Sequence, residues 1–259
     1  MSNADQLIYT RVVAAYSPTS VEGFQVVHRS AGLIDNDLEQ MTPLFEGIPY
    51  DTGDQRRYQF FRLTDGRVAL SRGGVVRADP KITGSRQKSV LLSHTIVLPA
   101  ADFKDTFANE PFELLDQGDL WVTSPKEMER KFARQGAIVS PANVDRDPDS
   151  YAPQDPIEMG WQPAEWKKLV SLARNAAELV AAGKTVFLRG SPDEAAEVLR
   201  ALLPAVRSKK RAACTFDTAW NGTSVRRDYH PEGFASGALF SVAATNAARP
   251  VARGRVIRG

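Results

Sequence analysis

Three histidines, one cysteine and a string of arginines and lysines are the residues of this chain best equipped for chemistry. His28 and His94 fall in β-branched, apolar stretches, GFQVVHR and SVLLSHTIVL, that read as strands. Were those strands neighbours, two facing imidazoles could hold a metal with one carboxylate, or move protons in a hydrolase or nuclease-like reaction. Spacing places no carboxylate beside them, and Arg29 sets a cation next to His28. The plainer use of each ring is a hydrogen bond within a sheet. His230 sits in a Pro/Gly-rich loop and reads as solvated.

A second set is basic. Arg72, Arg77, Lys81, Arg86 and Lys88 surround Gly73-Gly74 and Gly84-Ser85, so Gly73 to Lys88 reads as a loop. Such a loop could take an anion, a nucleotide or nucleic acid, or could simply be solvated. Gly190-Ser191, between a strand and a helix, occupies the place where α/β proteins bind phosphate. There, however, Asp193 and Glu194 would repel an anion and Pro192 removes a donor. Cys214 reads as a buried and therefore inert thiol.

The composition sets bounds on partners. A net charge of +2 gives no strong field toward nucleic acid or membrane. One cysteine allows neither an internal disulfide nor a cysteine zinc site. No signal peptide and no apolar run of about 18 residues is present, and no cofactor motif is found, so a cytoplasmic chain is expected. Ser2-Asn3-Ala4 reads as a cloning remnant outside the fold.

The elements that must position these residues follow in order. The central one is Ser89 to Pro99, whose near-continuous apolar character reads as a strand buried on both faces. Leu7 to Ala15 and Gly23 to Arg29 read as an antiparallel pair, followed by a short or kinked helix opened by Asp35 and containing Pro43. Tyr58 to Arg72 reads as a hairpin turning at Asp65-Gly66. A helix over Asp102 to Leu115 should break near Pro111, and DLWVT, from Asp119, reads as a brief strand. Ser124-Pro125-Lys126-Glu127 and Ser191-Pro192-Asp193-Glu194 share one capping pattern, with a weaker copy at Gln162-Pro163.

Further on, Pro163 to Ala182 reads as a helix, Lys184 to Arg189 as a strand, Pro192 to Val206 as a helix and Ala212 to Thr218 as a strand, with another at Ala238 to Ala244. In the Pro192 helix Leu199, Leu202, Leu203 and Val206 form the buried face and Glu197 the exposed one. The resulting fold class is α+β. A β-rich lobe with mixed or antiparallel strands spans 5–140, and a linker or surface loop spans 141–160. A smaller α/β lobe with a parallel strand–helix–strand unit spans 161–246, and 247–259 reads as a mobile basic tail.

Two groups of segments carry a family resemblance. The first is Tyr9, then GFQVVHRS from Gly23, LTDGR from Leu63 and SHTIVL from Ser93; the second is LLPAVR from Leu202 with CTFDT from Cys214. Together they resemble the N-terminal and middle regions of the GTPase-associated protein family of bacterial conflict systems. Where that family carries an aromatic pair ahead of the strand histidine, Leu91-Leu92 stand here. The resemblance implies a non-catalytic adaptor or scaffold with protein partners, a GTPase and effector proteins among them, and brings no catalytic residues. Since such proteins are usually longer, a fragment or short form is expected.

Overall fold

The structure, a computed structural model, describes residues 2–45, 56–84, 86, 88–132, 136–146, 167, 168, 171, 175, 178, 185–189, 192–212, 214–220, 237–241 and 254–257. Its strands are β1 (Ser2–Val12), β2 (Gly23–Ser30), β3 (Arg56–Arg62), β4 (Val68–Arg77), β5 (Ser89–Leu98), β6 (Ile138–Val139), β7 (Ala142–Val144), β8 (Thr185–Arg189), β9 (Thr215–Trp220), β10 (Gly237–Ser241) and β11 (Gly254–Ile257). The helices are α1 (Asp35–Phe45), α2 (Pro80–Thr83), α3 (Ala100–Phe107), α4 (Pro111–Leu115), α5 (Pro125–Phe132), α6 (Pro192–Leu202) and α7 (Ser208–Arg211). The fold is α+β.

One mixed sheet runs in the order β11-β8-β10-β9-β3-β4-β5-β1-β2-β6, with β7 paired to β1. Among the described residues only the β2–β6 and β8–β11 pairings are parallel. β5 lies between β4 and β1, antiparallel to both, and nine of its ten residues are buried. Burial on both faces requires two covering layers, and the alternation of side chains along each strand supplies apolar groups to both.

On one face the register aligns Phe216, Phe60, Leu70 and Ile96 across β9, β3, β4 and β5. Phe103, Phe112, Leu115, Leu199, Leu202 and Leu203 from α3, α4 and the α6 region close over this row. On the other face Leu7, Tyr9, Phe61, Ala69 and Val97 lie under Met41 and Phe45 of α1. Pro43 sits inside α1, which runs its full eleven residues. Its last carbonyls are met by the sheet: Gln59 Nε2 donates to Leu44 O at 2.9 Å and Arg57 Nη1 to Phe45 O at 3.2 Å.

Several sequence expectations give way. Gly73 to Lys88 is not one loop, because β4 continues to Arg77 in register with Ser89, and α2 follows, capped by Asp79. The glycines there serve strand pairing. A Cβ on Gly73 would stand 2.9 Å from the carbonyl oxygen of Leu92 on β5. DLWVT is not a strand; Gly118–Leu120 is a 3₁₀ turn, and Val122 gives its N–H to a side chain rather than to a ladder. Ser2 to Ala4 belong to β1 and pair with Ala142 to Val144, so they are part of the fold. That pairing also makes a strand of residues at the start of the expected 141–160 linker. Glu197 is not free on an exposed face but half-buried, with Arg200 at 2.6 Å.

Ser124 caps α5 as the sequence suggests, its Oγ accepting from Glu127 N–H at 3.2 Å. Glu127 reaches back one residue further, accepting from the N–H and hydroxyl of Thr123 at 2.8 and 2.9 Å. The second cap at Ser191 and the Gly190-Ser191 phosphate position, the weaker one at Gln162-Pro163, His230, and most of the Pro163–Ala182 helix lie outside the described residues. Within 247–259, Gly254–Ile257 pairs with β8. β8, α6 and β9 form the strand–helix–strand unit. β8 and β9 run parallel to each other but are not neighbours, because β10 lies between them, antiparallel to both.

Two substitutions test this packing. Leu202→Ala removes a fully buried side chain and should cost about 2–5 kcal/mol in a denaturant melt. Gly73→Ala forces β4 from β5 and should cost about 1–3 kcal/mol, with the loss read by the same melt.

Candidate functional site

Both candidate histidines sit opposite Ile8 of β1, His28 from β2 and His94 from β5. They therefore share a face of the sheet, with Ile8 between them and their backbones two strand spacings apart, about 10 Å. Phe132 from α5 covers both, its ring centroid 5.3 Å from His28 and 6.4 Å from His94. Trp121 stands edge-on to His94 at 5.3 Å.

The bonding of each ring decides what it can do. Val122 N–H donates to His94 Nδ1 at 3.1 Å, so the ring proton is on Nε2, which gives it to Gln6 Oε1 at 3.0 Å. Gln6 passes the connection on, its Nε2 donating to Ser140 O at 2.7 Å. Neither nitrogen of His94 is left for a metal or a substrate. Burial pushes its pKa down to about 3, with nearby Lys131 acting in the same direction and Glu127 against it. His28 donates Nδ1–H to Gly136 O at 2.7 Å, and burial lowers its pKa despite that bond. Among the described residues no group of three or more His, Cys, Asp or Glu could hold a metal. The fold thus brings the two histidines to one face but gives each a structural bond.

Beside this network an open cleft of about 520 Å³ is walled by Gln6, Gln117, Asp119, Lys131, Phe132 and Asn143, among others. Lys131 Nζ donates to Asp119 O at 2.8 Å and faces Glu127 at 3.3 Å. The described lining offers amides, an ammonium, a carboxylate and an aromatic edge. It suits contact with a polar surface or peptide, and its described residues include no nucleophile activated by a base.

The basic set is dispersed. Arg72 and Arg77 are five residues apart on an unbroken strand and so point to opposite faces. The Arg72 guanidinium lies 5.9 Å from the Tyr58 ring centroid. Lys81 lies on α2, and Arg86 and Lys88 are exposed beyond it. Cys214 is buried, which pushes its thiol up to about 12, beyond nucleophilic use at neutral pH.

Sequence reasoning missed a buried ion pair within the sheet. Arg57 on β3 grips Asp217 on β9 with two bonds, one from Nε to Oδ1 at 2.8 Å, while Gln59 Nε2 donates to the same carboxylate at 3.0 Å. Asp217 in the middle of CTFDT was the available signal, since a carboxylate in a buried strand requires a cation or donors. Gln6 and Lys131 gave no comparable sign.

The depressed His94 pKa has a measurable consequence. The unfolded chain takes up a proton near the ordinary value of 6.5 and the folded chain does so only near 3, so His94 favours folding above 6.5 and this contribution is lost as pH falls toward 3. His94→Asn should lower stability at pH 7 by about 1–3 kcal/mol through its orphaned partners. Between pH 7 and 4 it should also lose less stability than the wild type; parallel curves in urea melts would contradict the burial described here.

A family model described as GTPase-associated protein 1, N-terminal domain type 2, matches residues 3–138. No curated protein and no solved structure matches the chain.

Proposed function

Because the chain belongs to the GTPase-associated protein 1 family, through an N-terminal domain of type 2, we propose that it is a non-catalytic adaptor that binds a GTPase-related protein partner. The setting implied by the sequence resemblance, a cytoplasmic bacterial conflict or defence system with effector proteins, is part of this reading. So is the division into a β-rich unit over 5–140 and an α/β unit over 161–246.

The observation that carries the proposal is the state of His94. The residue best suited to catalysis in the matched domain is neutral, fully buried and hydrogen-bonded at both nitrogens. A ring held this way maintains shape rather than turning over substrate. The same network supports the polar cleft beside Gln6 and Lys131, a surface suited to protein contact. No helix among the described residues is long and apolar enough to cross a membrane, and none is needed for the proposed role.

The test is affinity purification of the tagged chain from its native host, with identification of co-purifying proteins. A GTPase should be recovered in near-stoichiometric amount. Repeated recovery of the chain alone, under several growth conditions and after mild cross-linking, would count decisively against an adaptor.

A further inference from the structure

We infer that Glu110 is a protonation-sensitive latch that holds the segment Pro204–Trp220 against the 3–138 domain, closed when its carboxyl is neutral and loosened when it is charged. The geometry begins with two consecutive residues in left-handed conformation, Ala108 (φ 51°) and Asn109 (φ 59°), which turn the chain between α3 and α4. The turn carries Glu110 inward as the cap of α4, where it is 2% exposed. Its Oε1 lies 3.4 Å from Phe112 N–H. Its Oε2 lies 3.1 Å from Arg211 Nη1 but has no aligned hydrogen bond.

Arg211 is the only cation that closely faces this carboxyl among the described residues, and it is partly engaged elsewhere. Its Nη2 donates to Val206 O at 3.2 Å and, more weakly, to Pro204 O at 3.4 Å. From α4, Glu113 and the C-terminal Asp116 add negative charge, each with an arginine of its own: Arg146 at 2.8 Å and Arg200 at 2.7 Å. Cys214 is the remaining titratable group coupled to Glu110. Charge-independent bonds complete the closure, with Asn109 Nδ2 donating to Ser208 Oγ at 3.2 Å and Ser208 Oγ donating to Ala108 O at 3.1 Å.

A carboxylate in this position has lost its water and gained one poorly aligned cation against two like charges. Burial dominates and pushes its pKa up to about 7 from an ordinary 4.5, with Arg211 opposing. The closed state therefore binds a proton that the open state releases. Closure is favoured in full below about 4.5, and that contribution is lost as pH rises through about 7.

The chain supplies its own reporter, because Cys214 is its single cysteine, is fully buried, gives its N–H to Arg211 O at 2.9 Å and immediately precedes β9. The experiment measures the reaction of the full chain with 4,4′-dithiodipyridine from pH 5 to pH 8, each rate divided by that of the urea-unfolded chain at the same pH. The wild type should show an opened fraction that rises about 10- to 100-fold across this range. Glu110→Gln, neutral at every pH, should give a flat profile. Arg211→Met removes the opposing cation, so its midpoint should move to higher pH whatever its overall stability. Equal rises in wild type and Glu110→Gln would overturn the latch, as would an Arg211→Met midpoint that stays or falls. If Glu110→Gln does not fold, the Arg211→Met midpoint decides alone.

Discussion

β5 has no face to give to solvent, and the rest of the molecule answers to that. Its apolar residues set the two covering layers: α3, α4 and α6 on one side, α1 on the other. The three polar residues at its middle are the harder demand, because a polar side chain there must find its partners inside the protein. Ser93 Oγ meets Ser71 Oγ of β4 at 2.7 Å. His94 spans from Gln6 on β1 to the backbone of Val122. Thr95 Oγ1 alone has no hydrogen-bond partner among the described residues. The ladder fixes register through backbone groups, and these side-chain bonds fix it again through chemistry.

Charge then attaches the later part of the chain to the 3–138 domain. Arg57 binds Asp217 within the sheet; Asp116 binds Arg200 above it with bonds of 2.9 and 2.7 Å. Arg200 also lies over the rings of Tyr58 and Phe112, at 5.4 and 4.7 Å. Such pairs add little net stability, since desolvation offsets much of the attraction. Their effect is selectivity: a partly mis-seated α6 would bury an arginine without its carboxylate. The apolar contacts of Leu199 and Leu202 provide the driving force, and the arginines determine which seating is accepted.

The strands of the N-terminal half were readable because their signals are local. Asp65-Gly66 marks its hairpin, with Gly66 at φ 90°, and the period-2 alternation around it gives the strands. The α6 face was readable for the same reason, at helical spacing. What could not be read depends on pairs distant in sequence. Arg57 and Asp217 are separated by 160 residues and Gln6 and His94 by 88. Trp121-Val122 carries a β-like composition, yet tertiary contact with His94 diverts its backbone N–H from any ladder. Gly73-Gly74 looked like loop chemistry, but glycine is equally the residue for close approach of two strands. Composition alone does not separate those uses.

The place of β10 has a consequence for synthesis. β8 and β9 both precede it in the chain, yet the sheet joins them only through it. As the polypeptide leaves the ribosome, β8 and α6 emerge with no strand for β8 to pair beside, while β9 can already dock on β3. The N-terminal half can gather around β5 while translation continues, since its partners β1 and β4 and much of their cover, α1, α3 and α4, lie within the first half of the chain, and α6 joins later. The bridging strand arrives late and must insert between two elements already made. Until then both edges of β8 and one edge of β9 stand open, and the nascent protein passes through an interval in which pairing with a neighbouring chain competes with its own completion.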